Sequence, residues 1–337
     1  IFLSILSYFD PLLLWDENAF LGNARSHITN ANYIEDFKFP LIEFPISGLW
    51  KITGENIFLA RMLLVLLYLC TIYLFYRITK SHFKENILLT ALFAFSSIMI
   101  YWAFRIYTDV PVVFFILLSF YFYDRERMFY SGIAASLAIL TRFPAALFPF
   151  SLFIILISQK KFKDTLIFLS GSLAGLFPWL MFNYITYKNP IWDLIIYQEI
   201  VSKYNTFKSP LIFFKDLIMT THIFLIMFIL KIKETYNNKK FRGILLYTLL
   251  YIGYISFLSD IKYSRYITMI LPFIYIFGWY NIIHIKNKKI KEIVIGLSIA
   301  FTAILLMIAL YDINNEFYCS KNGSIIKSVE YMGNKKD

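Results

Sequence analysis

Cysteine is nearly missing from this sequence. Cys70 and Cys319 are the only two among 337 residues. One falls in an apolar run and the other near the C-terminal end, so a disulfide framework is excluded. Histidine is scarce as well: His27, His82, His222 and His284 stand far apart, without the spacing a zinc site needs. No CxxC, HExxH or glycine-rich phosphate loop occurs, which removes the common motifs of thiol redox, zinc hydrolysis and nucleotide chemistry. Internal repeats at solenoid periods are also absent. The largest deficit is charge. Only 16% of residues are charged, against about 25% in soluble domains.

Apolar residues fill the space. They make up 59% of the chain, and the mean hydropathy is +0.62. Apolar stretches fall at 57–76, 87–104, 110–123, 129–140, 143–157, 165–182, 217–230, 243–258, 266–285 and 293–311. Several are long enough to cross a roughly 30 Å hydrocarbon core. Residues 1–15 read as the last part of another span, and because the chain opens on Ile1 the start of that helix is expected to be missing. The pattern predicts an all-α polytopic transmembrane bundle of about eleven spans over residues 1–311. The segments 129–140 and 143–157 are short enough to form a re-entrant pair instead, which keeps the same parity.

Parity places the connections 77–86, 124–128, 158–164, 231–242 and 286–292 on one side. They hold 17 Lys/Arg and 6 Asp/Glu, a surplus equal to the +11 of the whole chain. Excess positive charge in short loops marks the cytoplasmic side. A nucleic-acid surface would gather that charge on one patch instead of dividing it among five membrane-flanking loops.

The opposite side then faces outward, and it carries a different kind of polarity. Its first segment, residues 16–56, begins "DENAFLGNARSHITNANYIEDFKFPLIEFPISGLW". Pro40 and Pro45 break it into short amphipathic stretches expected to lie as helices along the interface. "RIYTDVP" (105–111), "LTRFP" (140–144), "NYITYKNP" (183–190) and "DIKYSRY" (260–266) share that side. Arg61, Arg105, Asp109, Arg142 and Arg265 sit at or just inside the outer ends of spans, at the depth of Asp16 and Glu17. Charges at such depth are costly, so a set of seven points to an outward-facing polar cavity. A carboxylate there can take a proton from an attacking hydroxyl. Arginines can clamp a phosphate and stabilise it as it leaves. A lipid-phosphate-linked donor would present its head group at this level, and acid opposite base suits single displacement with inversion.

These residues resemble the GT-C superfamily of integral-membrane glycosyltransferases. The likeness is greatest to the branch holding dolichyl-phosphate-mannose protein mannosyltransferases and bacterial aminoarabinose transferases. "WDENAF" matches the Asp-Glu that opens the family's first outer loop, and "NIFLARMLLVLL" its basic residue early in the second span. "YTDVP" matches a second acid before proline, "GIAASLAILTRFP" a basic residue after a glycine-containing span, and "KYSRYITMILP" a late Arg-Tyr segment. The matches follow the family's order over about residues 10–280. The first loop departs from the usual Pro-Pro pair with "FKFPLIEFP", and Lys188 stands where glycine is usual.

The resemblance implies a mannosyltransferase-like hexosyl transfer from an isoprenoid (dolichyl or polyprenyl) phosphate to a protein, glycan or lipid acceptor. It implies Asp16 as general base, with Glu17 and Asp109 as further catalytic carboxylates. Arg61, Arg105, Arg142, Lys262 and Arg265 become the residues facing the donor phosphate. A divalent metal, Mg or Mn, is the one cofactor left open, with Asp16 and Asp109 as its ligands if one is used. The enzyme is expected in the plasma membrane with its active site outside. A secondary transporter, or a lipid-linked-sugar flippase or ligase, is the competing reading. Transporters bind near the midplane between related halves, whereas here the ionisable residues avoid the midplane.

The outer tail, 312–337, contains "SIIKSVEYMGNK", apolar at 325, 326, 329 and 332 on one helical face. Ser324 is a fitting N-cap and Gly333 a fitting stop. Two readings are open, a helix lying on the membrane surface and the opening helix of an outer soluble domain, with the second favoured.

Overall fold

The computed structural model describes residues 3, 15–29, 38, 40–203, 209–259 and 262–321. All regular structure among them is helical. Most of the expected first span and the tail helix at 325–332 lie outside the described residues. Two short helices, α1 (Trp15–Thr29) and α2 (Glu43–Thr53), precede the long α3 (Ile57–His82). Then come α4 (Ile87–Ala94), α5 (Ser97–Trp102), α6 (Asp109–Asp124) and α7 (Met128–Thr141). A 3-10 turn (Phe143–Ala146) leads into α8 (Leu147–Ser158), followed by α9 (Phe162–Tyr187) and α10 (Trp192–Lys203). The last part comprises α11 (Pro210–Leu230), α12 (Ile232–Asn237) and α13 (Arg242–Gly253), which ends in a π turn (Tyr254–Leu258). A 3-10 turn (Ser264–Met269) then opens α14 (Leu271–Ile283), and α15 (Lys288–Lys321) closes the described chain.

The fold is a polytopic membrane bundle. Helices α3, α9, α11 and α15 are long and apolar enough to cross a membrane, and shorter apolar helices pack between them. Leu166, Leu173 and Phe177 on α9, and Ile293, Ile304 and Met307 on α15, stay exposed, which suits contact with lipid tails. Helix α14 is the reverse case, buried on every side from Leu271 to Trp279. A helix that is apolar all round belongs in the middle. Phe224 stacks on Tyr275 at 4.2 Å and Phe148 on Phe273 at 6.1 Å, fixing α11 and α8 against it.

Several expected spans differ in detail. The stretch 87–104 is not one helix: extended Ser96 divides it into α4 and α5, and its hydroxyl donates to the Phe93 carbonyl at 2.8 Å. That local bond competes with helix continuation. Helix α11 begins seven residues before the apolar run and breaks at His222, where φ is 38° and ψ −120°. The last span does not stop at 311, because α15 continues to Lys321. Both helices of the first outer segment form, with Pro45 in the opening turn of α2, where its missing N–H breaks no bond.

The bundle has two unlike ends. At one, Asp124 meets His82 at 3.4 Å and Lys240 at 4.0 Å, while Lys161 reaches Glu126 at 3.9 Å. Four of the loops grouped by their charge, 77–86, 124–128, 158–164 and 231–242, therefore gather together. At the other end α1 and α2 lie over the bundle, with Phe20, Leu21, Ile46 and Trp50 packed on Ala60, Leu64 and Ile106. His27 contacts Glu43 at 3.2 Å, and Trp50 donates its indole N–H to the Asn56 carbonyl at 2.9 Å. Asn56 in turn caps α3 through Leu59 N–H at 3.1 Å.

Helices α7 and α9 touch backbone to backbone. A Cβ on Gly132 would meet the Phe168 carbonyl, and one on Gly171 the Phe129 carbonyl. Gly253 has open space around it. Gly132→Ala and Gly171→Ala are expected to destabilise the detergent-solubilised protein by about 1–3 kcal/mol each. Gly253→Ala should leave thermal stability unchanged or raised. Equal melting temperatures for all three would show that α7 and α9 do not depend on this contact.

Candidate functional site

Asp16 and Glu17 begin α1, where acids favour the helix dipole. Adjacent positions on a helix point about 100° apart, and the two carboxylates go to different places. Asp16 is the partly exposed one of the two. Its Oδ1 accepts from Lys38 Nζ at 2.7 Å and its Oδ2 from an Arg265 guanidinium nitrogen at 3.0 Å. Its side chain keeps 25% exposure. Burial pushes the carboxyl up, but Lys38 and Arg265 together outweigh burial and hold it below the usual carboxylate range.

Glu17 turns inward and is fully buried. Its Oε1 accepts the Ile106 N–H at 2.9 Å and lies 3.5 Å from the Arg61 guanidinium. Arg61, from the first turns of α3, is 1% exposed. This pair ties α1, α3 and the approach to α6 together. Removing one partner of such a pair strands the other charge.

Asp109 is the first residue of α6 and is fully buried. Arg142 donates to its Oδ1 at 2.5 Å, while Oδ2 is buried without a hydrogen-bond partner among the described residues. Arg142 reaches this position because it is the extended break between α7 and the following 3-10 turn. Its guanidinium lies 4.2 Å from the centre of the Tyr266 ring. Arg265 lies 4.9 Å from Tyr107, 5.3 Å from Tyr263 and 5.8 Å from Trp102. Aromatic faces hold these cations where few other partners are available. Tyr107 is within electrostatic reach of Asp16, Arg265, Glu17 and Asp109.

The structure thus brings Asp16, Asp109, Arg142 and Arg265 into one cluster and adds Lys38, Tyr107 and Tyr266. It places Arg61 with Glu17 in a separate buried pair. Arg105 is 2% exposed, bonds to Glu316 of α15 and stacks 4.0 Å from the Tyr101 ring. Lys262 is buried and donates to the Ser259 carbonyl at 2.7 Å. A divalent cation does not fit this donor set. Asp16 has both oxygens on cations and Asp109 has one on Arg142. Among the described residues no three of His, Cys, Asp and Glu come together as ligands.

Sequence reasoning missed α10. Its Tyr197 lies in the field of Tyr266, Arg142, Tyr254 and Arg265, and burial pushes the phenol up to about 12. The helix is anchored by Asp193, which accepts from Trp179 Nε1 at 2.7 Å and Asn183 Nδ2 at 3.2 Å. The signal was present in "NPIWDLIIYQEI": Asn189 accepts the Ile191 N–H at 3.1 Å, a local turn before a helical run.

Residues 38–182 match the family described as dolichyl-phosphate-mannose-protein mannosyltransferase. No curated protein sequence matches the chain. The fold is similar to the crystal structure of ArnT from Cupriavidus metallidurans bound to undecaprenyl phosphate, with TM-score 0.70 and 14% identity. That match covers 88% of this chain and 61% of the other. ArnT in the apo state gives TM-score 0.68 and 14% identity, covering 89% and 61%. This chain therefore spans less than two thirds of the length of those structures. The family match takes in less than half of the chain, and the likeness to ArnT is one of fold.

Proposed function

We propose that this protein is a membrane glycosyltransferase that moves a sugar from an isoprenoid phosphate to an acceptor hydroxyl by single displacement with inversion. The observation that carries the reading is the position of Asp16, held between Lys38 and Arg265 with Arg142 alongside. Phosphate is a stronger partner for guanidinium and ammonium groups than a lone carboxylate. When the donor phosphate enters, Arg265 and Lys38 turn to it and release Asp16. The freed carboxylate takes the acceptor proton, and the acceptor oxygen attacks the anomeric carbon. The bond from that carbon to the phosphate oxygen breaks, and the lipid phosphate leaves with the bonding pair, its new charge met by Arg265, Lys38 and Arg142. Asp109, buried against Arg142, acts through that arginine by holding its guanidinium toward the phosphate. Glu17 and Arg61 position the helix that carries Asp16.

The same reading puts transfer at the outer face of the plasma membrane, with the basic loops at the opposite end in the cytoplasm. The family match supports a mannosyl-type donor, and the acceptor is a protein, a glycan or a lipid.

Asp16→Asn is expected to lower transfer from a radiolabelled polyprenyl-phosphate sugar by at least about 100-fold. Donor affinity should hold or improve, because Arg265 and Lys38 lose their competitor. A variant keeping more than about a tenth of the wild-type rate removes Asp16 from the base role. Glu17→Gln should act mainly on folding, at a cost of about 3–5 kcal/mol, with folded molecules keeping most of their rate.

Arg142→Ala and Arg265→Ala should each weaken donor binding by about tenfold or more, with lysine a partial replacement. Unchanged donor dependence at both positions would return them to a structural role. The pH profile gives an independent check. Asp16 in the free protein titrates below the usual carboxylate range because Lys38 and Arg265 hold it ionised. Once the phosphate draws those cations away, its pKa rises. The acid limb of kcat should therefore lie at higher pH than that of kcat/KM. Coincident limbs would contradict the exchange of partners.

A further inference from the structure

The end of the bundle away from Asp16 holds a second set of cations, and tyrosines arrange it. On α3, Tyr73, Tyr76, Arg77 and Lys80 fall at i, i+3, i+4 and i+7, one face of the helix. Tyr73, Arg77 and Lys80 are exposed. Arg77 lies 5.8 Å from the centre of the Tyr73 ring, and Lys80 Nζ lies 5.5 Å from that of Tyr76. Helix α6 repeats the device. Arg125, just past its last residue, lies 3.5 Å from the Tyr121 ring and donates to the Tyr121 carbonyl at 3.2 Å. A ring one turn back thus holds each cation in place before an anion arrives.

The two helices set these groups side by side. Ser81 donates to Asp124 at 3.4 Å, joining the last turn of α3 to that of α6. Arg77 is accordingly within electrostatic reach of Tyr121. The nearby acids are engaged elsewhere, Asp124 with His82 and Lys240, and Glu126 with Lys161. Among the described residues, Arg77, Lys80 and Arg125 have no carboxylate at ion-pair distance. Tyr73 accepts from Arg77 at 2.8 Å, so its own proton can be given to another oxygen.

Charge alone does not name the partner, but the rest of the face does. Leu66 and Leu69 carry the same stripe of α3 deeper into the bilayer, and both are exposed. Leu66 and Arg77 are 11 residues apart, roughly 16 Å along the helix axis. That is about half of the roughly 30 Å hydrocarbon layer, the depth of one leaflet. Guanidinium groups and a tyrosine hydroxyl above an apolar strip of acyl-chain length fit a lipid with an anionic phosphate. A dissolved anion has no use for the strip.

We propose that Arg77, Lys80 and Arg125, with Tyr73, bind the head-group phosphate of an anionic phospholipid in the leaflet beside the basic loops. Its acyl chain lies along Leu66 and Leu69. The bound lipid bridges α3 and α6, the two helices whose far ends carry Arg61 and Asp109. It is a different site from the Asp16 cluster and does not depend on the transfer chemistry.

Native mass spectrometry of the purified full chain, titrated with phosphatidylglycerol or phosphatidylcholine, measures the first lipid bound. The wild type should hold phosphatidylglycerol at least about tenfold more tightly than phosphatidylcholine. Arg77→Gln and Arg125→Gln should each weaken phosphatidylglycerol about fivefold, and together remove the preference. Lys233→Gln with Lys239→Gln takes the same charge from the same end and should leave the affinity within about twofold. Tyr73→Leu, at an exposed position, keeps every charge and should still weaken binding about threefold, so the test does not hang on the double arginine variant folding. A wild type without preference, or a preference that survives the loss of both arginines, overturns the proposal. An equal loss in the lysine pair overturns it too, since that is the general field of the basic end. Displacement of the lipid by inorganic phosphate at equal concentration would assign the cations to a dissolved anion instead.

Discussion

The contact between Asp16 and Arg265 joins residues 249 positions apart. It links the first turn of the outermost described helix to the turn that opens the most deeply buried one. Much of the outer end depends on it. Arg142 and Arg265 repel one another across Tyr266, and each is steadied by its own carboxylate, Asp109 or Asp16. Without those acids two guanidinium groups would share a poorly solvated space. Buried charges persist only when paired and hydrogen-bonded. Both arginines are thus paired when nothing is bound, and an entering anion must exchange with a carboxylate already in place.

The adjacent acids show how one turn of helix separates duties. Asp16 keeps contact with solvent and with Lys38 and Arg265, whereas Glu17 is sealed against the Ile106 amide and Arg61. The sealed residue gives the exposed one its precision. A backbone hydrogen bond on Glu17 sets the rotation of α1, and that rotation aims Asp16 at Arg265. Lys38 comes from the same outer segment and completes the clasp.

Helical class, the set of apolar segments and the grouping of the basic loops were all legible in the sequence, because hydropathy and charge act locally. The position of Asp16, Asp109, Arg142 and Arg265 at one level was legible for the same reason. Pairing was not. Arg61 and Arg105 share depth and charge with Arg142, yet they bind Glu17 and Glu316, and only the packing of α3 and α15 decides that. The break at Ser96 depends on a single hydroxyl choosing the Phe93 carbonyl. The kink at His222 holds a left-handed residue against Thr302 at 3.3 Å; neither leaves a mark in an apolar run. Helix α10 escaped notice because it is too short to register as a span.

Helix lengths carry a last consequence. Asp109 begins α6, Arg142 follows α7 and Arg265 precedes α14, helices of 16, 14 and 13 residues. At 1.5 Å per residue these measure roughly 20–24 Å, short of the roughly 30 Å hydrocarbon layer. Helices α3 and α9 have 26 residues each and reach roughly 39 Å. Breaks between elements this short fall inside the bundle, and the charged side chains stand on those breaks: Asp109 where α6 begins, Arg142 at the extended residue after α7, Arg265 in the turn before α14.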